Sequence, residues 1–519
     1  MKKIVVLIVL SFTMACYLYS QEPIVKWGAP IEEFSEKNTR IDKMFVLDNV
    51  GLYATRKTTG AQTVERTWLE KYDNAYNKVF SKEIPLAEGV MGDNILYKNI
   101  LPLKDGFLAF YSGFKKASKK SYYLVKKLSL DGDIDKQGTE IESITAEKAM
   151  NSGYFSVCLS PDQTKFLLLT TLPYDKVENA KIRIKAFDAQ SLKELYTKDA
   201  TLSFNCKGIF NDILIDNKGN AFIIERYVND AKKYMFNLYT YNAASKEWKE
   251  KPVNLGDKFI SETYKFFFDS KGDIVFSGFS YSKSVSDYNS LFYVRISAST
   301  FDITVSKTTG FGDVANKEKE DQMFTGWKLR GVVSQSNGNA LIIAEDETEN
   351  RLPPTTPGSF DFSYEYRNKN IKIACISPDG KKQWVTTIKK DQTIQTKNID
   401  HRWDSFVYGL VNDKLYILYN NTELTRMIAP SWTDEGKKYK WSKDFAMNTG
   451  FPTFMYVIQP NGVSTYANKT YGLPLFNFQK GSMFEMELIS SHFFPFKDGI
   501  LIMSEMSDGK RYKFGKIEL

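Results

Sequence analysis

Histidine is almost missing from this chain: His401 and His492 are the only two among 519 residues. That scarcity argues against a histidine metal centre and against a histidine-based catalytic triad. His492 opens an apolar stretch and reads as a packed histidine. His401 sits in Asp400-His-Arg-Trp-Asp404 and is the better binding candidate. Cysteine is equally sparse, with Cys16, Cys158, Cys206 and Cys375 making up all four. No CxxC pair exists to hold zinc, and so few thiols cannot staple a chain of this length. A single Cys158–Cys206 bridge between neighbouring units is compatible with an oxidising compartment; buried free thiols are the alternative. Past the N-terminus no run is long and apolar enough to span a bilayer. No GxSxG elbow, P-loop or dinucleotide fingerprint stands in a suitable context.

Charge of one sign is not concentrated either. The formal net charge is +8, and +6 once Lys2 and Lys3 are subtracted. Over a surface this large that is a mild bias and no nucleic-acid footprint. The densest basic stretch, Lys115-Lys-Ala-Ser-Lys-Lys120 with Lys126-Lys127 behind it, is expected at a hairpin tip, where lysines keep a loop in water. Acidic glycans or lipid headgroups are its other reading.

What is present begins with Met1-Lys-Lys-Ile-Val-Val-Leu-Ile-Val-Leu10, two charges before a short apolar stretch. This is the pattern of a secretory signal, too short for a stable membrane span. Cleavage after Ser20 would leave 21–519 as the mature chain. Lipidation of Cys16 is the rival, although Thr13 and Met14 fit it less well. Both readings export the protein, to the periplasm, the outer membrane or the cell surface.

The mature chain is then filled by one unit repeated eight times: a hydrophobic run, an Asp/Asn/Gly turn, a second run, and another hairpin. Its first half recurs as Met44–Tyr53, Ile100–Ala109, Phe155–Leu168 and Ile213–Ile224, and around Asp269–Gly272, Ser336–Gly338, Asn412-Asp413 and Lys497–Gly499. Its second half recurs as Leu69–Phe80, Ile184–Tyr196, Tyr239–Trp248 and Ile373–Trp384, alternating strands joined by residues that tolerate hairpin angles. Four-strand units in tandem predict an all-β fold, an eight-bladed β-propeller in a single domain over 21–519. The eighth unit lacks an outer strand. Ile24-Val-Lys-Trp-Gly-Ala-Pro-Ile31 resembles the other outer strands, so Trp27 and its neighbours are expected to complete that blade and close the ring. In overall plan the chain resembles exported bacterial propellers of the WD-like and translocation-associated kind, with Ser377-Pro-Asp-Gly380 as their generic turn. That resemblance is to an architecture and implies no diagnostic residues. The repeated tryptophan docking motif of quinone-dependent propellers is absent.

Long segments break the spacing late in the chain: 346–366, 420–450, 312–329, 389–404 and 470–484. In an up-and-down blade they would crowd one sector of one face, where function concentrates. Their aromatic and basic residues are the binding candidates: Trp403, Trp432, Trp441, Tyr364, Tyr366, Arg402, Arg426 and His401. Such residue types dominate protein interfaces, so a protein partner in the cell envelope is the first expectation, without cofactor or metal. A glycan partner is the second, since tryptophans stack on sugars and two carboxylates suffice for cleavage. Asp361, Glu365, Asp400, Asp404, Asp434 and Glu435 supply acids in the same segments. Asp131-Gly-Asp-Ile-Asp135 with Glu142 has the spacing of a calcium loop, but Lys136 replaces the required glycine. It reads as a solvated hairpin turn.

Overall fold

The second strand of each repeat is the element that dictates the architecture. Phe166-Leu-Leu-Leu169 and Ala221-Phe-Ile-Ile224 have no polar face, which suits a strand covered on both sides. The turns before them are equally determined. In Asp269-Ser-Lys-Gly-Asp273 the Asp269 carboxylate accepts the backbone N–H of Lys271 at 2.8 Å and of Asp273 at 3.0 Å. Gly272 takes φ +86°, the left-handed residue that a three-residue hairpin loop needs. The same construction recurs around Asp216 and Gly219.

The computed structural model describes residues 24–32, 39–47, 51–58, 66–85, 87–88, 95–205, 211–229, 232–281, 288–312, 326–353, 363–396, 405–420, 453–466, 487–496, 499–505 and 511–518. Among these residues the only helical element is a single 3-10 turn, Ala149–Asn151, and eight antiparallel sheets follow one another along the chain. The chain divides into two compact units, one of residues 34–349 and 368–390, the other of 1–33, 350–367 and 391–519.

The larger unit holds the first five sheets and the sixth apart from its residues in 350–367 and 391–396. The first is Thr39–Leu47, Gly51–Thr58, Thr67–Tyr72 and Lys78–Ile84; the second is Ile95–Leu103, Gly106–Lys115, Lys120–Ser129 and Thr139–Thr145, with Ala87–Glu88 added to its first strand. The third runs Tyr154–Leu159, Lys165–Thr171, Lys181–Asp188 and Glu194–Thr201. The fourth, fifth and sixth begin at Asn211–Ile215, Phe259–Phe268 and Trp327–Ser334 and repeat the same consecutive order. The sixth contains a long hairpin, Ala340–Leu352 with Ser363–Ile376. Residues 346–352 and 363–366, expected as an insert, are therefore strand, and only 354–362 of that segment falls outside the described residues.

Each hydrophobic cluster of this unit joins two successive sheets. Leu167 and Leu169 of the third pack with Ile213, Ile215 and Ile223 of the fourth, while Phe166 and Leu168 pack with Leu108 and Phe110 of the second. Alternate residues of one strand thus serve opposite neighbours, which the pleat requires.

The smaller unit holds the seventh and eighth sheets, with Val407–Val411 and Glu487–Phe496 as their first strands. The eighth is completed as expected. Ile24–Trp27 pairs antiparallel with Arg511–Glu518, Ile24 opposite Glu518 and Trp27 opposite Gly515. A Cβ at Gly515 would overlap the Trp27 ring, so glycine there makes room for the indole. Lys513 Nζ stands 4.4 Å from the ring centroid, and Lys26 pairs with Glu518 at 2.8 Å. Trp27 also joins the cluster of Val407, Leu418, Ile500, Ile502 and Ile517.

Two substitutions test this closure of the eighth sheet. Trp27→Ala should cost about 2 kcal/mol, below the range for a fully buried tryptophan because the ring is half-exposed. Gly515→Val should cost at least as much by displacing the indole. Denaturant unfolding of both variants, with Lys116→Ala as surface control, would show equal midpoints if the strand were not docked.

Candidate functional site

Most of the residues singled out from the sequence cannot be placed. His401, Arg402, Trp403, Arg426, Trp432 and Trp441 lie outside the described residues, as do Asp361, Asp400, Asp404, Asp434, Glu435 and Cys206. Tyr364 and Tyr366 are both on Ser363–Ile376, ring centroids 6.3 Å apart. Tyr366 is fully buried and presents no face to a partner; Tyr364 is half-buried. Glu365 is buried too, accepting from Arg367 Nε at 2.6 Å.

Several carboxylates elsewhere are paired with cations. Asp133 pairs with Lys82 at 2.6 Å, whereas Glu142 is buried against Arg183 and Lys185, each at 3.4 Å. The acids of that stretch therefore point at different partners, as a hairpin turn allows. Glu70 binds Arg56 through both oxygens, at 3.0 and 3.1 Å, and also Lys78 at 3.1 Å. In the sixth sheet Glu345 and Glu347 lie side by side, and Arg330 bridges them while Lys390 reaches Glu345 and Lys328 reaches Glu347. Burial by itself would push Glu347 up, but Arg330 and Lys328 outweigh it and hold the carboxyl below its usual range. Burial pushes the adjacent Asp346 up; successive strand residues face opposite ways, so the two cannot converge as acid and base. The thiols of Cys158 and Cys375 are free, and burial pushes both up to about 12, which leaves them unreactive at neutral pH.

One recess in the larger unit is open and not filled by its own ion pairs. It is a cavity of about 750 Å³ lined by the first strands of the first and third sheets and by the first three strands of the second, and no Asp, Glu, His or Cys is among its lining residues. Local irregularity builds it. On the first strand of the first sheet the pairing slips between Ile41 and Lys43, and on that of the second between Tyr97 and Asn99. The residues left unpaired are Asp42 and Lys98, so each strand carries a bulge, a device that re-aims side chains. Asp42 is taken by Lys57. Lys98 is exposed and has no ion-pair partner among the described residues. Lys43 Nζ donates to Asn99 Oδ1 at 2.7 Å, tying the two strands together across the recess.

Hydroxyls and rings supply the rest. Ser112, Ser121, Ser152 and Ser156 line the cavity. Tyr123 is stacked between Phe110 at 5.6 Å and Phe155 at 4.7 Å, and burial raises its hydroxyl pKa. Tyr154, 58% exposed, stands at the mouth beside Leu96. The 3-10 turn Ala149–Asn151 closes one side, held by the Asn151 amide, which donates to Tyr174 O at 2.9 Å and accepts from Tyr174 N at 2.8 Å. Gly153 follows it with φ +77°, and a side chain there would strike Thr171 O. None of these residues stood out in the sequence. The available signal was the slipped alternation at Ile41-Asp-Lys43 and Tyr97-Lys-Asn99, where a charged residue interrupts an otherwise regular first strand.

No protein-family model and no curated protein matches the chain. Among solved structures it is similar to an α-L-arabinanase from Penicillium chrysogenum bound to arabinobiose, at 10% identity and TM-score 0.34, covering 70% of this chain and 98% of that one. It is similar to the β-propeller domain of the Trilobed protease from Pyrococcus furiosus, at 10% identity and TM-score 0.35, over 69% and 98%. A third likeness is to the WD40 domain of SCAP from fission yeast, at 8% identity and TM-score 0.34, over 96% and 95%. Superpositions this loose transfer neither activity nor ligand.

The buried glutamates make a pH prediction. A carboxyl held below its ordinary pKa adds stability that is complete above the unfolded value, about 4.3, and is lost as pH falls through the folded one. Glu347→Gln should therefore cost about 2 kcal/mol at pH 7. The gap from wild type should close below pH 4, measured by urea unfolding across pH 3–8. A pH-independent gap would contradict the ionised assignment.

Proposed function

We propose that this chain is an exported, non-catalytic interaction module of the bacterial cell envelope, a β-propeller whose ring is closed by the N-terminal strand. The observation that supports it best is the cavity lining: lysine, serine and aromatic side chains with no carboxylate, histidine or thiol. Glycoside cleavage needs two carboxylates across the scissile bond, one of them protonated, and the buried carboxylates of the sixth sheet are bridged by cations instead. Binding surfaces ask for what this recess has, a preformed concavity with a few polar groups among rings. Successive sheets sharing apolar faces give that surface a rigid frame. The charged and apolar N-terminal stretch supports export.

Two measurements test the reading. Mature protein recovered from the envelope fraction should begin at Gln21; a lipid-modified Cys16 would move it to a membrane anchor, and full-length protein in the cytoplasm would sink export. Incubation of the purified chain with envelope polysaccharides should release no new reducing ends. Sustained release that Ser156→Ala or Lys98→Gln abolishes would make the protein an enzyme.

A further inference from the structure

The cavity also carries information about what fills it. We infer that it binds an acidic saccharide, a short run of sugar rings bearing carboxylate or sulfate groups. This rests on the reading of the recess as a binding site.

The charge balance points to an anion. Lys43 and Lys98 are the only charged groups among the lining residues. The one carboxylate on either of their two strands, Asp42, is already paired with Lys57. Lys43 is anchored by an uncharged amide, Asn99, and not by a carboxylate. Lys98 is the unpaired residue of a bulge, so its side chain escapes the alternation that would otherwise fix its direction. Two ammonium groups on neighbouring strands, with no counter-ion among the described residues, make a site for negative charge within a Debye length.

The remaining lining points to sugar. The hydroxyls of Ser112 and Ser156 have no side-chain hydrogen bond among the described residues and can donate or accept. Tyr154 offers an exposed ring, while Phe155, the next residue of the strand, turns the other way onto Tyr123. Rings with a polar edge suit ligands that are apolar on one face and hydroxylated at the rim. An acidic peptide would use the lysines and leave the hydroxyl set unpaired. A nucleic acid would need more cations along its path than two lysines and no arginine. About 750 Å³ lies within the range of cavities that enclose small ligands.

The test is calorimetry on the mature full-length chain at low salt, with five probes: trigalacturonate, a sulfated galactotriose, neutral galactotriose, tetraglutamate and sodium sulfate. An acidic trisaccharide should bind at least tenfold more tightly than galactotriose and tetraglutamate. That preference should shrink as NaCl is raised. Comparison of the uronate with the sulfated sugar identifies the anion. Lys98→Gln and Tyr154→Ala should each weaken binding about tenfold. Both sites are exposed, so melting temperatures should match wild type and separate lost binding from lost folding. Equal affinity for galactotriose, unchanged in Lys98→Gln, overturns the anionic preference while leaving a binding site. Tighter binding of tetraglutamate or free sulfate than of either acidic sugar overturns the saccharide. No heat with any probe overturns the inference, and cleavage of a probe overturns the non-catalytic reading instead.

Discussion

Two-sided burial of the second strand is the constraint on which the structure depends. Phe166 and Leu168 face one neighbouring sheet while Leu167 and Leu169 face the other. No single sheet of this protein can bury such a strand alone, so each needs a partner before and after it. The same division recurs in Phe222 and Ile224 against Ala221 and Ile223 of the fourth sheet. A chain built this way has a difficulty only at its ends, where a sheet would be left incomplete. Ile24–Trp27 answers it by supplying the outermost strand of the eighth sheet, with Gly515 vacating the space that the Trp27 ring takes.

Such a frame frees the first strands from carrying most of the apolar load, and several of them slip in register. Bulges at Asp42 and Lys98 place charge on strands that are otherwise regular, and a third, at Arg330, reaches the buried Glu345 and Glu347. The same backbone device has opposite outcomes. In the sixth sheet the bulged arginine finds carboxylates and becomes part of the internal bracing. In the second, the bulged lysine meets none among the described residues and lines a cavity. What separates a structural ion cluster from a candidate binding site here is the supply of counter-charge.

The fold was legible in the sequence because its signals are local and repeated. Asp-Ser-Lys-Gly turns, alternating outer strands and unbroken apolar second strands each specify one hairpin, and eight copies leave little choice of class. The terminal strand was readable for the same reason: Lys26-Trp27 resembles Lys382-Gln-Trp384. The candidate site was not, since it depends on a one-residue slip in pairing and on which cations lack partners. Residue type alone misled at Tyr366, an aromatic chosen for display that packs in the interior, because strand alternation extends through a stretch read as an insert.

Hydrogen exchange of the intact chain tests the dependence on that terminal strand most directly. The amides of Lys26 and Gly28, which face the partner strand, should exchange as slowly as those of Arg511–Glu518, and both groups should lose protection together as denaturant is added. Exchange of the Lys26 and Gly28 amides within seconds, while 511–518 stays protected, would contradict it.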